Sequence, residues 1–386
     1  MPHESDHPRR RYCDQAATSW PKPTAVLAAW QDAAARLGAT AGRGVYREAV
    51  EAGDIREAAR RRFAALLNVD PTRVALPGSA TLGLNIALHG LLAEGDHAIG
   101  TAADHNATLR PLAWLTARGR IRSTIVPCDA TGLVDPDAIA SAWKPRTRLV
   151  VLSHASNVTG RLQDVAAVAA VAHRHGGLVV LDAAQSAGVV PLDPARLGAD
   201  LVVVPGHKWL LGPCGIACLW AREGVEPDPL IQGGTGSGSD HAAMPESFSE
   251  RHEAGTPDVP AAAGFNAACN WWDAEGADGM AAAARLAEAC RRGLAEHAGV
   301  RVWASAEGPP IVSFVVEHYD PAEVALLLEQ AAGVQVRSGY HCAAGIHGHL
   351  GTPAGTVRAS FGPFNTADDV EAIVDVVGRI ASAGVC

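Results

Sequence analysis

Of the 32 lysines and arginines in this 386-residue chain, only Lys22, Lys144 and Lys208 are lysine. An arginine stays protonated and cannot act as a neutral amine, whereas a lysine amine can be made neutral by its surroundings and condense with an aldehyde. Wherever positive charge alone suffices this chain uses arginine, so each lysine is a candidate for amine chemistry. Lys208 follows Gly206-His207 at the end of one apolar run, and Asp182-Ala183-Ala184-Gln185 closes the run before it. A lysine after Gly-His is ordinarily a solvated loop residue. The scarcity of lysine and the matching aspartate reverse that expectation, because two neighbouring strand ends would set an amine and a carboxylate beside one crevice.

An amine to hold an aldehyde and a carboxylate to keep a ring nitrogen protonated are what pyridoxal 5'-phosphate requires, with Lys208 and Asp182 in those roles. A second nucleophile stands in Ser338-Gly339-Tyr340-His341-Cys342-Ala343, where Gly, His and polar neighbours indicate a partly exposed loop. Cys214 and Cys218, beside a strand, read instead as small apolar packing. His341, Cys342, His347 and His349 lie close in sequence but lack the paired spacing of a closed zinc site, so no metal is expected.

The elements that must position these groups are legible as rhythm. Apolar runs rich in Val, Ile and Leu (Val74 to Leu76, His97 to Thr101, Arg122 to Val126, Arg148 to Ser153, Leu178 to Asp182, Asp200 to Val204, Ile216 to Trp220) alternate with helical stretches at Leu82 to Leu92, Asn106 to Ala117 and Val165 to His175. That alternation signals parallel βαβ units, and unbroken apolar runs suit strands covered on both faces. In such sheets ligands sit beyond the carboxyl ends of the strands, where Ser79, His105, Asn157, Asp182 and Lys208 fall. Gln232 to Asp240 is a glycine-serine stretch that reads as a loop near a domain junction. A long helical stretch then runs to His297, followed by strand-like segments at Ile311 to Val316, Val334 to Arg337 and Thr356 to Ser360 and a last helix from Ala367.

Composition bounds the partners. With 48% apolar residues the chain can bury a large core in two domains. A net charge of -9 repels nucleic acid and anionic lipid, and no apolar run is long enough to span a membrane. Eight cysteines without a paired framework point to a reducing, cytoplasmic setting. Residues 1–11, rich in His, Arg and Pro, read as a disordered tail rather than a signal peptide.

The motifs together resemble the class V aminotransferase superfamily, and within it the cysteine desulfurases and selenocysteine lyases, from about Tyr12 to the last helix. Tyr12-Cys13-Asp14-Gln15-Ala16-Ala17-Thr18-Ser19 is similar to the family's Y-L-D-N-A-A-T-S, and Gly42-Arg43-Gly44 to its R-G segment. The resemblance implies fold type I of the PLP-dependent transferases. This is an α/β architecture with a mostly parallel seven-stranded sheet in a large domain, 12–255, and a smaller α+β domain, 256–386, that carries the Cys342 loop. An N-terminal arm, 12–30, would pack on the small domain.

It also implies roles. Ala80 and Thr81, in the Ser79 to Asn85 turn, would cradle the cofactor phosphate at a helix start, a site that favours anions. His105 would stack on the ring and relay protons, Gln185 would bond the ring oxygen, and His207 would assist the phosphate beside Lys208. Asn157, Arg337 and Arg358 would hold an amino-acid substrate, Arg358 by its carboxylate. Thr256, in Glu253-Ala254-Gly255-Thr256-Pro257, would reach the partner's phosphate in a homodimer, and Cys342 would accept sulfur as a persulfide for passage to an acceptor protein. Two positions depart from the pattern: Leu82 stands where the family has Glu, and Pro205 where a Ser phosphate ligand is usual. Cysteine desulfurase is the reading the motifs favour. A selenocysteine lyase, a C–S lyase or an aminotransferase on the same core stays open, as does a non-catalytic sulfur carrier.

Overall fold

In the computed structural model the described residues are 9–42, 44–236 and 240–383. The expected N-terminal tail falls largely outside them, as do Arg43 and residues 237–239 of the glycine-serine loop. The chain runs β1 (Arg11–Tyr12), α1 (Thr24–Arg36), α2 (Arg47–Leu67), β2 (Val74–Ala75), α3 (Ala80–Leu91), β3 (His97–Thr101), α4 (Asn106–Ala117), β4 (Arg122–Val126), α5 (Pro136–Ala142) and β5 (Thr147–Ser153). It continues through α6 (Val165–Arg174), β6 (Leu178–Asp182), α7 (Pro194–Leu197), β7 (Leu201–Pro205), β8 (Ala217–Ala221), α8 (Phe248–His252), α9 (Val259–Trp271) and α10 (Ala277–Ala295). The last part is β9 (Val300–Ala304), β10 (Ile311–Val316), α11 (Pro321–Ala332), β11 (Val334–Gln335), β12 (Arg337–Gly339), α12 (Ala344–Leu350), β13 (Thr356–Ser360) and α13 (Ala367–Ala383).

Seven strands form the main sheet in the order β2-β8-β7-β6-β5-β3-β4, and only β8 runs against the rest. This is the α/β, mostly parallel architecture of PLP fold type I. Strands β3, β5, β6, β7 and β8 are almost wholly buried because helices cover both faces, and two apolar clusters lie one on each side. The chain crosses from β3 to the edge strand β4 and returns to β5 on the other side of β3, so β3 and β5 diverge at a topological switch point where a crevice opens.

A second sheet, β12-β13-β10-β9, is antiparallel and packs on α10, α11 and α13 over its own core, which includes Phe314, Val357, Phe361 and Ile373. The long helical stretch after Pro257 is not one regular helix. A π-helical turn at Trp272–Gly276 separates α9 from α10. Helix α9 packs with the large sheet, Phe265 stacking on Phe63 with ring centroids 4.1 Å apart.

The N-terminal arm joins the two sheets. β1 pairs in parallel with β11, Asp14 bridges to Ser360 of β13, and Ser360 N–H donates to Cys13 O at 2.8 Å. A few residues on, Ser19 N–H donates to His207 O at 3.0 Å and Gln185 Nε2 to Ala16 O at 3.0 Å. The strap thus touches the turn that carries Lys208 and the strand that carries Arg358. No helix among the described residues is long and apolar enough to cross a membrane.

Candidate active site

The carboxyl ends of β3, β5, β6 and β7 open on one cavity of about 220 Å³. Ala80, Thr81, His105, Asn157, Asp182, Gln185, His207, Lys208, Arg337 and Arg358 all line it. Two further positions singled out in the sequence do not. Cys342 lines an outer cavity of about 510 Å³ with Trp114, Arg110 and His89, and Thr256 lines one of about 330 Å³ on the far side of α3.

Asp182 is the last residue of β6 and Lys208 lies three residues past β7, so two adjacent strands in register deliver both to one opening. Asp182 Oδ1 accepts the Ala184 N–H at 2.9 Å, and no protein donor among the described residues takes its other oxygen. Burial raises its pKa, and Lys208 opposes the rise. The Lys208 amine has no hydrogen-bond or ion-pair partner among the described residues. Desolvation lowers its pKa to about 8 against the pull of Asp182, with Arg358 and Arg337 adding to the fall. A useful fraction of the amine is therefore neutral near physiological pH.

The turn that presents Lys208 is closed tightly. Gly212 N–H donates to Gly206 O at 2.8 Å, and a Cβ on Gly212 would stand 2.7 Å from that same oxygen. Trp272 Nε1–H donates to Trp209 O at 3.0 Å, and Trp209 Nε1–H donates to Gln185 Oε1 at 2.9 Å.

His105 caps α4, its Nδ1 accepting the Ala107 N–H at 3.0 Å, so the ring proton sits on Nε2. Burial first, and Lys208 next, lower its pKa to about 4 and keep the ring neutral. Beside it Asp104, which the sequence reading passed over, is fully buried and accepts the Ser153 and Thr101 N–H groups at 2.7 Å each. It staples the ends of β5 and β3 and so sets the direction of His105. His207 Nδ1 meets Thr18 Oγ1 at 3.1 Å, and burial, Lys208 and Lys22 lower its pKa to about 4.

Ser79 caps α3 through the Leu82 N–H, leaving the Ala80 and Thr81 amides among the first-turn donors that have no intrahelical acceptor. The two departures from the family pattern are visible here. Pro205 lines the cavity but offers no N–H, while Leu82 turns away and packs against the apolar cluster behind α3.

On the opposite wall, Arg358 is buried on β13. Its Nη1 donates to Asn157 O at 2.9 Å and its Nη2 to Asp14 Oδ1 at 2.8 Å. Asp14 had no local feature to single it out. Only the arm's pairing with β13 brings it to Arg358. Arg337 Nη2 donates to Cys342 Sγ at 3.1 Å, and Asn157 Nδ2 donates to His341 O at 2.6 Å.

These groups fit pyridoxal phosphate. A partnerless amine with a lowered pKa, a buried carboxylate with one oxygen free, a neutral imidazole and the first-turn amides of a 12-residue helix surround one opening. The family model for class-V aminotransferases matches residues 11–373. The chain belongs to the class-V aminotransferase family. As a member of that family it is a pyridoxal-phosphate-dependent enzyme. It is 32% identical to a probable cysteine desulfurase of Methanothermobacter thermautotrophicus, over 97% of this chain and 95% of that one. It is 33% identical to cysteine desulfurase CsdA of Escherichia coli, over 95% and 93%. Among solved structures, the apo cysteine desulfurase of Thermococcus onnurineus superposes with a TM-score of 0.88 at 29% identity, covering 97% of this class-V chain and 95% of that chain. Crystalline CsdA gives 0.84 at 31%, covering 96% and 94%.

Proposed function

We propose that this enzyme is a cysteine desulfurase, which converts L-cysteine to L-alanine and leaves the sulfur on Cys342 as a persulfide. The observation that carries the reading is that Arg337, which lines the cavity presenting Lys208 and Asp182, holds the Cys342 sulfur. The similarity to named cysteine desulfurases over nearly the whole chain supports it.

When bound, pyridoxal phosphate supplies an electron sink for the carbanion at the substrate Cα. Lys208 would hold its aldehyde, Asp182 its ring nitrogen, and the α3 amides with Thr81 and His207 its phosphate, and His105 would lie against the ring. The substrate carboxylate is taken by Arg358, Arg337 and Asn157. Released when the substrate's amino group takes its place on the aldehyde, the neutral Lys208 amine removes the α-proton and, through its conjugate acid, returns protons to carbon, with His105 as relay. The Cys342 thiolate attacks the substrate sulfur and the S–Cβ bond breaks, its electron pair passing to Cβ. One proton then completes the alanine methyl group, and the oxidised sulfur pair remains on Cys342. A homodimer in which Thr256 of each subunit serves the other's phosphate accounts for Thr256 lying outside its own cavity. A protein thiol that collects the sulfur would be a second partner. The seven described cysteines are all free, which suits the reducing cytoplasm.

The test is product analysis. Holoenzyme mixed with L-cysteine and no reductant should release alanine in equal amount to the persulfide formed on Cys342, and should resume turnover when a reductant is added. Pyruvate and ammonia in place of alanine would instead mark a C–S lyase. Asp14 gives a second prediction. Asp14→Asn removes the charge that aims Arg358, so KM for cysteine should rise about tenfold while kcat stays within about a factor of two, the pattern of lost ground-state binding. A fall in kcat with KM unchanged would show that Asp14 acts elsewhere.

A further inference from the structure

The loop that carries Cys342 is held by the same side chains that the substrate needs. Asn157 Nδ2 donates to the carbonyl of His341 at 2.6 Å, and Arg337 Nη2 donates to Cys342 Sγ at 3.1 Å. Both residues also line the inner cavity. A third contact, Asn106 N–H to Cys342 O at 2.7 Å, ties the loop to the start of α4. Within this grip His341 and Cys342 both take positive φ, 50° and 60°, a region that residues with a side chain occupy only where their surroundings hold them there. So held, Cys342 lines the outer cavity with Trp114, Arg110 and His89, whereas Lys208 lines the inner one. A sulfur that is to attack a substrate seated over Lys208 has to move toward the inner cavity, which shares Thr81, His105 and Ala107 with the outer one.

The donors open to an incoming carboxylate are few. Arg358 already has one Nη2–H on Asp14 and one Nη1–H on Asn157 O, while its Nε lacks a partner and one N–H of each Nη stays open. The other donors on that wall, Asn157 Nδ2 and the Arg337 fork, are the ones that hold the Cys342 loop. A carboxylate is a stronger acceptor than a peptide carbonyl, and it matches a guanidinium fork better than a single sulfur does.

We propose that the substrate carboxylate displaces the Cys342 loop from Asn157 and Arg337, so that seating the substrate is what frees the sulfur to enter the inner cavity. Asn157 and Arg337 are in this sense positioning residues for Cys342. They hold it outside while the cavity awaits substrate and let go when the carboxylate takes their donors. Relief of the two positive-φ residues favours the release. The order of events protects the nucleophile, since the thiol enters only when there is sulfur to take. This inference rests on the desulfurase reading for the identity of the substrate, but its mechanical content can be tested without turnover.

The experiment measures the rate of Cys342 alkylation by iodoacetamide in the holoenzyme, resolved by peptide mass spectrometry, with exposed Cys214 in the same digest as the reference. L-alanine should raise the Cys342 rate relative to Cys214 by about fivefold, the factor that one hydrogen bond's net worth sets on an opening equilibrium. L-alaninamide, which lacks the carboxylate, should leave it unchanged. In Asn157→Ala and in Arg337→Gln the rate should be raised already without ligand and respond little to alanine. A purely structural role would not produce this response. If alanine slows or does not change the wild-type rate, or if Asn157→Ala responds as fully as wild type, the exchange does not occur. The wild-type arms decide the matter even where a variant fails to fold. Alanine release from cysteine, measured on the same preparation, separates the two claims. Turnover without a ligand response overturns the exchange alone, and a ligand response without turnover overturns the desulfurase reading alone.

Discussion

Lys208→Ala is expected to purify without the visible absorbance of bound cofactor and to lose turnover of L-cysteine by about four orders of magnitude, the upper range for removal of a general acid–base group. Lys208→Arg should fail equally. It keeps the positive charge in the cavity but cannot become a neutral amine, so the pair of variants separates amine chemistry from charge. The wild-type apo-protein adds a pH test. The pKa of Lys208 is lowered from 10.5 to about 8, chiefly by desolvation. Capture of pyridoxal phosphate should therefore accelerate as pH rises and level off above about pH 8.

The same shift fixes a sign for stability. A lysine whose pKa is lower folded than unfolded destabilises the fold. That penalty is full below the folded value near 8 and vanishes above the unfolded value near 10.5. Removing Lys208 should thus not lower the melting temperature of the apo-protein at pH 7, which guards against reading a folding defect as lost chemistry. Retained turnover in either variant would end the assignment of Lys208.

Cys342→Ala should lower alanine production from cysteine by at least about a hundredfold while leaving cofactor binding unchanged, because Cys342 does not line the cavity that holds Lys208 and Asp182. Cys342→Ser should behave the same way, since an alcohol cannot form a persulfide. The other described cysteines give no alternative carrier near the cavity. Cys13, Cys128, Cys218 and Cys290 are buried in packing, and burial raises the pKa of each thiol. Undiminished alanine release in Cys342→Ala would remove Cys342 as the sulfur acceptor and require another thiol to take the sulfur, whereas pyruvate and ammonia in place of alanine would mark a lyase that expels sulfide directly. Measuring alanine, pyruvate and cofactor content on one sample of each variant distinguishes these outcomes.

Much of the framework was legible in the residues because the forces that shape it are local. A strand covered on both faces is built largely of apolar residues, so His97 to Thr101 and Leu178 to Asp182 were located to the residue, as was the more exposed edge strand Arg122 to Val126. Asp164 caps its helix through the Ala167 N–H, and a helix does start at Asn106. The candidate residues after strand ends also converge, because a parallel sheet sends all its carboxyl ends to one edge. Where local rules weaken, boundaries moved. The strand expected at Val334 to Arg337 is two short ones in different sheets, β11 and β12, and the helix expected from Leu82 starts at Ala80, capped by Ser79.

By itself, then, the order of residues determined that a lysine and an aspartate end adjacent strands, that a cysteine sits in a polar loop, and that the sheet is mostly parallel. Only the tertiary structure decided how those groups are aimed. Asp14 reaches Arg358 across 344 positions of sequence, and Asn157 reaches the His341 carbonyl across 184. Asp104 determines the direction of His105 from beneath. Periodicity reports which face of an element is buried. Which long-range partner waits there depends on how the arm and the two sheets pack, and no spacing along the chain encodes that.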